Sequence, residues 1–454
     1  MKETPRSLAV DILNRIDEAG LFAEPLLDQV LSGDRLTNIH DRHLLTEIVY
    51  GTLRKRGRID GIIARFYKGD MAGMETGVKN ILRTAVYQLL FTDRIPPFAI
   101  VNEAVKIAKI SHQASSGLVN AILRNIIRRQ EHITDPDFSK NPAAHISQVH
   151  SHPLWLVERW LKQFGPEETL AICRANNDIP PLSVRINRLK TTREPIMADL
   201  GQSVFETRKT AFSPDGLILS GGAVPLRETP SYREGHLQIQ DEASQLITCL
   251  VDPKPGMTVL DACAGAGIKT SHLAERMQNR GRILALDRSG QKLKALRANM
   301  KRLGITIVET SIQDVSEDPD DPDDPDDALP GAFDRVLVDV PCSGLGTLRR
   351  NPEIKWRIRP TDIDDFSSLQ KKLLDQAARC LKRGGILVYS TCTITPEENE
   401  AVIRDFLSRS ADFHLENPPD LVPASMVTEE GFFKTRPDLH TTDGFFGAIL
   451  RRRP

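Results

Sequence analysis

The 454 residues are 40% hydrophobic, 27% charged and only 5% aromatic, with a formal net charge of −1. That balance excludes a fibre or a disordered chain, and the length exceeds what one hydrophobic core ordinarily serves, so two or three domains are expected. No run approaches the ~20 apolar residues of a membrane span, and the opening MKETPRSLAV lacks the apolar core of a secretory signal, so a cytoplasmic protein with no membrane partner is expected.

The first predicted elements are helices. Apolar residues recur at three and four spacing in LLTEIVYGTLR (44–54), VKNILRTAVYQLLF (78–91), AIVNEAVKIAK (99–109) and LVNAILRNIIRR (118–129), which describes an all-helical module over residues 1–135. Arg54, Lys55, Arg56 and Arg58, with Arg124, Arg128 and Arg129, offer charge for phosphates or simply a solvated face. A polar stretch at 132–150 with Asp-Pro and Asn-Pro breaks reads as a linker. A small α/β module then spans 145–235, with a strand at LSVRIN (182–187), a short helix at 192–200 and a strand at GLIL (216–219).

From 236 to 454 short apolar runs alternate with amphipathic helices, the pattern of a parallel sheet wrapped by helices, so the fold class is α/β. Strands are expected at 258–261, 282–287, 306–309, 335–339 and 386–390. Between the third and fourth lies EDPDDPDDPDD (317–327), whose eight acids mask a formal charge of +7 in the remainder. Proline at every third position and dense like charge make that segment a solvated loop without chemistry.

VLDACAGAGIKT (259–270) is a strand running into a glycine-bearing turn and a helix, which belongs at the carboxyl edge of the sheet where ligands bind. An ordinary strand-to-helix turn is the competing reading of so short a pattern. A dinucleotide fingerprint would need glycine where Thr270 stands, and a phosphate loop would need it where Ile268 stands. Asp287 ends the next strand, where a carboxylate accepts from ribose hydroxyls; Asp261 suits an ammonium, and Asp314, one loop along, an adenine amino group. A single strand-end aspartate is often a helix cap, but three in succession favour a ribose-bearing ligand.

The six cysteines include no C-x-x-C pair, so free thiols and no metal are expected. Cys173, Cys249 and Cys380 read as filler, whereas Cys342 in DVPCSG (339–344) and Cys392 in STCT (390–393) emerge from adjacent strand ends. Two thiols at one ligand edge suit addition to an electron-poor ring carbon. Cytosine C5 becomes nucleophilic once a thiolate adds at C6, and Asp339 stands where it can hydrogen-bond the N3 and amino edge. The second thiol then assists loss of the C5 proton and release; chemistry alone does not say which cysteine does which. LRRNPEIKWRIR (348–359) places five bases around Trp356 on the expected rim of the site, with Trp356 either stacking on a base or packing a loop.

DACAGAGIKT (261–270), DVPCSG and STCT together resemble the RNA cytosine-C5 methyltransferases. The resemblance implies a Rossmann-like domain with a mostly parallel seven-stranded sheet, Cys392 as the C6 nucleophile and Cys342 in release. It places contacts to S-adenosylmethionine at Ala262, Cys263, Ala264, Gly265, Ala266 and Gly267, and at Asp261, Lys269, Asp287, Asp314 and Asp339. DRH (41–43), YGTLR (50–54) and VNAILR (119–124) make the helical module similar to the NusB-type RNA-binding fold, and the small module is expected to be RRM-like. The implied partner is an unstacked cytosine of 16S ribosomal RNA; the charge pattern fixes no oligomeric state, and a monomer is the default expectation. A NusB-like RNA-binding or antitermination protein with a silent methyltransferase domain is the alternative, and methylation of DNA or protein ranks last; the intact cysteine pair favours the RNA enzyme.

Overall fold

Thr4 and Ser7 open the first helix with a capping box: Thr4 Oγ1 accepts from the Ser7 amide at 3.2 Å and Ser7 Oγ from the Thr4 amide at 2.9 Å. Donors that a helix start leaves unpaired are thereby satisfied. The computed structural model describes residues 3–33, 35–93, 95–222, 224–316 and 331–454, so the acidic repeat at 317–327 lies outside the described residues. The helices that follow are α1 (Pro5–Ala19), α2 (Ala23–Leu31), α3 (Ile39–Phe66), α4 (Thr76–Phe91), α5 (Pro97–Ser111), α6 (Ser116–Arg129), α7 (Pro142–Val149) and α8 (Leu154–Ala175). The apolar stripes of α1–α6 meet in two clusters, one around Ile12, Ile16, Leu45 and Ile48 and the other around Ile81, Leu82, Val119 and Leu123.

Two compact units are formed, Met1–Ile179 with Leu348–Ile358, and Pro180–Thr347 with Arg359–Pro454. Inside the first, Lys355 and Trp356 of the basic segment after Cys342 are taken up by packing, whereas Arg357 is exposed. Trp356 Nε1 donates to the Leu53 carbonyl at 3.0 Å, and its ring lies so close to Gly57 that a Cβ there would approach it to 2.6 Å. The packing reading of Trp356 therefore holds. Lys355 is buried, with Nζ donating to Arg54 O and Asn177 Oδ1, each at 3.1 Å, and burial pulls its pKa down to about 7. Three cations of the 54–58 cluster are paired as well: Arg54 donates to Arg349 O at 3.2 Å, Arg56 pairs with Asp17 at 2.7 Å and Arg58 with Asp135 at 3.2 Å. Lys355, Arg54, Arg56 and Arg58 have each found an acceptor distant in sequence, which a local charge count does not reveal.

The second unit holds two sheets. Strands β1 (Leu182–Ile186), β2 (Phe205–Lys209), β3 (Gly216–Gly221) and β4 (Leu237–Ile239) form an antiparallel sheet of order β2-β3-β1-β4, with β4 lying past Gly235, where the small module was expected to close. Strands β5 (Thr258–Asp261), β6 (Arg282–Asp287), β7 (Val308–Ile312), β8 (Phe333–Asp339), β9 (Leu381–Thr391), β10 (Phe413–Glu416), β11 (Phe433–Lys434) and β12 (Phe446–Arg452) form the larger sheet. Its path is β10-β12-β9-β8-β5-β6-β7, with β11 attached to β12. The pairs from β7 to β9 are parallel and those of β12 antiparallel, giving the mostly parallel seven-strand path expected of a Rossmann-like fold. Apolar clusters cover both faces, one around Leu246, Val259 and Leu273 and the other around Leu260, Val336 and Leu374. No helix among the described residues is long and apolar enough to cross a membrane.

One buried cation ties the small sheet to the helix Ile268–Arg276 of the larger one. Arg185 on β1 is fully buried; it donates to Glu275 at 2.7 and 3.1 Å, to Ser271 Oγ at 2.9 Å, to Ile268 O at 3.2 Å and to Gln240. Removing one partner of such a pair strands the other charge, so Arg185→Ala is expected to lower unfolding free energy by about 3–5 kcal/mol. Equilibrium urea unfolding checks this, and a loss below about 1 kcal/mol, the worth of an exposed pair, would contradict it.

Candidate functional site

Strands β5, β6, β8 and β9 end at one edge, and each predicted residue can be placed from there. Asp261 closes β5 fully buried: Oδ2 accepts from Thr270 Oγ1 at 2.7 Å, while Oδ1 has no protein partner. Burial pushes its carboxyl up to about 7, with the nearby Asp339 charge adding to the rise. Thr270 thus occupies the third-glycine position because it holds Asp261.

Ala262 donates to Leu337 O at 2.9 Å and Ala264 to Leu286 O at 2.8 Å, pinning the turn to the flanking strands. Gly267 has φ +81, and a Cβ there would meet Leu296 at 2.5 Å, so glycine is required for packing. Gly265 has φ +56 but faces open space, a free approach for a ligand, and the neighbouring Ala266 is exposed. The Gly265 amide donates to Asp287 Oδ2 at 3.0 Å and the Ser289 amide to Asp287 Oδ1 at 2.8 Å, aiming that carboxylate beside the turn. Asp314 accepts from the Ser316 amide at 3.0 Å and hydroxyl at 2.6 Å, bonds that hold its carboxyl below the usual range. Cys263 draws these positions together: burial first, then the charges of Asp261, Asp339, Asp287 and Asp314, raise its thiol far above the ordinary value.

On the other side of the turn, Lys269 Nζ donates to Asp339 Oδ2 at 2.6 Å and Ser390 Oγ to Asp339 Oδ1 at 2.7 Å. Burial alone would lower the Lys269 pKa, but Asp339 beside it, with a further contribution from Cys392, lifts it above its ordinary value. The ammonium therefore stays charged close to Cys392. Cys342 Sγ and Cys392 Sγ are 3.3 Å apart. The Cys392 sulfur, then burial, keeps the Cys342 thiol well above the ordinary thiol range. Cys173 and Cys249 are buried in the cores, and Cys380 donates to Gln376 O at 3.7 Å. Among the described residues no group of three or more His, Cys, Asp or Glu side chains could hold a metal ion.

Sequence reasoning missed Thr270, Ser390 and the residues that frame the cysteines, since hydroxyls carry no charge or spacing signal; only their place in DACAGAGIKT and STCT pointed there. The donor set fits a ligand with a cationic amine and a ribose. Asp261 offers a buried carboxyl oxygen without a hydrogen-bond partner, and Asp287 lies at the open glycine turn.

Comparisons with known proteins bear on the same regions. A family model described as 16S rRNA methyltransferase RsmB/F matches residues 248–451, one for the NusB family matches 3–128, and one for the ferredoxin-like domain of RsmF/B-like methyltransferases matches 152–226. The chain is 33% identical over 462 residues to the probable ribosomal RNA small subunit methyltransferase B of Bacillus subtilis, covering 100% of both. It is 33% identical over 449 residues to ribosomal RNA small subunit methyltransferase B of Escherichia coli, covering 99% of this chain and 98% of that one. The crystal structure of a methyltransferase homolog protein from Pyrococcus horikoshii is similar with a TM-score of 0.57 and 30% identity, over 68% of this chain and 97% of the other.

Asp261 gives the site a pH signature. Below about 7 its carboxyl keeps the proton and offers no charge to an amine; above that it is ionised. Calorimetric affinity for S-adenosylmethionine is expected to weaken about 10-fold from pH 7 to 5.5, where the ligand's own amine stays protonated. Asp261→Asn should bind weakly at every pH, and a wild-type affinity that is flat across this window would contradict any contact between Asp261 and the ligand's amine.

Proposed function

Because the chain belongs to the ribosomal RNA small subunit methyltransferase B family, we propose that it methylates C5 of a cytosine in 16S ribosomal RNA. Membership makes it an S-adenosylmethionine-dependent methyltransferase acting on small-subunit ribosomal RNA; the atom, the covalent route and the residue roles are our reading. The 3.3 Å separation of the Cys342 and Cys392 sulfurs, beside Asp339 and a charged lysine, carries it.

Asp261 would hold the amine of the methyl donor, Asp287 its ribose hydroxyls and Asp314 its adenine amino group, with residues 262–267 lining its path and Lys269 and Asp339 closing the inner end. When bound, S-adenosylmethionine supplies the electrophilic methyl group that C5 takes. Cys392, near the Lys269 ammonium, adds as thiolate to C6 of the cytosine and makes C5 enamine-like. Asp339, held by Lys269 and Ser390, accepts from the cytosine amino group and relays a proton from the Lys269 ammonium to N3, which neutralises the negative charge that thiolate addition places on the ring. Cys342 assists the loss of the C5 proton and the cleavage of the C6–sulfur bond. The base enters this site unstacked, because a thiol and a methyl group must approach it from different directions.

In the helical unit, Arg124, Arg128 and Arg129 are exposed on α6. Arg124 and Arg128 join Phe98, Asn102, Lys109 and Asn120 in lining a groove of about 820 Å³, which suits phosphates and a stacked base. Bisulfite sequencing of ribosomal RNA tests the whole reading. In cells lacking the protein one 16S cytosine should become convertible, and the wild-type gene but not Cys392→Ala should restore protection; an unchanged pattern would overturn the C5 assignment. Cys342→Ala is expected to accumulate an RNA–protein adduct on denaturing gels, and the absence of any slow-migrating species would deny it the release role.

A further inference from the structure

Neither cysteine sits on a strand; each lies in a loop just past one, where the backbone pairing of the sheet thins to two bonds, Val340 N to Ser390 O and Gly346 N to Cys392 O, each 3.0 Å, and side chains add to it. Both loops are bracketed by side chains from outside them. The Ser343 amide, directly after Cys342, donates to Glu398 Oε1 at 2.8 Å, and the Pro341 carbonyl, directly before it, accepts from Gln370 Nε2 at 2.9 Å. Gln370 Nε2 also donates to Glu398 Oε1 at 3.1 Å, which closes the bracket around Cys342. Around Cys392 the next residue does the same: Thr391 Oγ1 donates to Asn399 Oδ1 at 2.6 Å, and Asn399 Nδ2 donates to the Thr393 carbonyl at 3.0 Å. The brackets are joined by the Glu398–Asn399 peptide bond. They are joined again through hydroxyls, since Ser343 Oγ donates to Glu398 Oε2 and lies 2.8 Å from Thr393 Oγ1.

We propose that Glu398 and Asn399 are positioning residues that clamp the Cys342 and Cys392 loops to each other and so set the distance between the two sulfurs. Gln370, Glu398, Asn399, Thr391 and Thr393 have no exposed surface, and Ser343 is 3% exposed, so water does not compete for these bonds. A carboxyl buried among neutral donors, with no ion pair to a cation among the described residues, is a costly way to fill space, and an apolar side chain would pack the same volume at lower cost. Its value lies in direction: two oxygens aimed at the amide and hydroxyl of one residue fix the backbone beside Cys342. Tyr389 Oη donates to the Glu398 carbonyl at 2.6 Å and anchors the clamp to β9.

The proposal rests on the cysteine-pair reading for its consequence in catalysis, but the distance it sets is measurable without that reading. Phenylarsine oxide bonds two neighbouring thiols, forming two As–S bonds with loss of one water. The full-length protein should capture it tightly, and Cys342→Ala should not. Glu398→Ala and Asn399→Ala are expected to weaken capture at least 10-fold and to lower kcat about 100-fold, as a misplacement of about 1 Å can, with the KM for S-adenosylmethionine little changed. Glu398→Gln should retain most of both, because its amide still accepts from the Ser343 amide and can donate to the Ser343 hydroxyl. Ser343→Ala, which removes only the hydroxyl arm, gives an intermediate loss and serves if Glu398→Ala does not fold. Wild-type capture and kcat in the alanine variants would overturn the clamp. Weakened capture in a protein that proves not to methylate cytosine would leave the clamp standing and reject only the chemistry assigned to it.

Discussion

The pairing of Asp339 with Ser390 across the parallel strands β8 and β9 decides where two loops leave the sheet, and most of the site follows from it. Parallel neighbours end on the same edge, so a cysteine three residues beyond Asp339 and another two beyond Ser390 arrive at the same place. The register is stated twice, once by the ladder and once by the Ser390 hydroxyl on the Asp339 carboxylate. A slip of one residue would turn Asp339 to the opposite face and separate the two sulfurs.

Around that register, charge does the arranging. Lys269 joins the helix after the glycine turn to Asp339, so the turn and the cysteine edge are one electrostatic unit. Arg185 holds the same helix from the other side through Ile268, Ser271 and Glu275. The small antiparallel sheet therefore does more than extend the chain: it anchors the helix from which Lys269 projects. Buried ionic groups of this kind contribute little net stability compared with apolar packing, but they specify direction, and direction is what a transfer between two bound molecules demands.

Much of this was legible in the sequence. The β5 and β6 runs are apolar and bounded by turn residues, and they fall at the predicted positions; the aspartates and paired cysteines follow from reading strand ends in a parallel sheet. Less legible was β7, an edge strand with little buried surface that begins two residues beyond the predicted start. The antiparallel return strand β12 lacks the strand–helix alternation that marked the others. The partners of the basic segments at 54–58 and 348–359 were not legible because sequence gives charge but not what meets it: Asp17 and the carbonyls of Arg54 and Arg349 are far along the chain from the cations they satisfy. Glu398 and Asn399 were invisible for the same reason, since a positioning role is a property of what a side chain reaches.

The central claim is that Cys392 forms a bond to the RNA base. RNA carrying 5-fluorocytosine at the target position blocks loss of the C5 substituent and so holds the adduct. With S-adenosylmethionine present, tryptic mass spectrometry should find the methylated fluorinated nucleotide on the peptide containing Cys392. Attachment at Cys342, or an unmodified Cys392 peptide after turnover, would contradict the account.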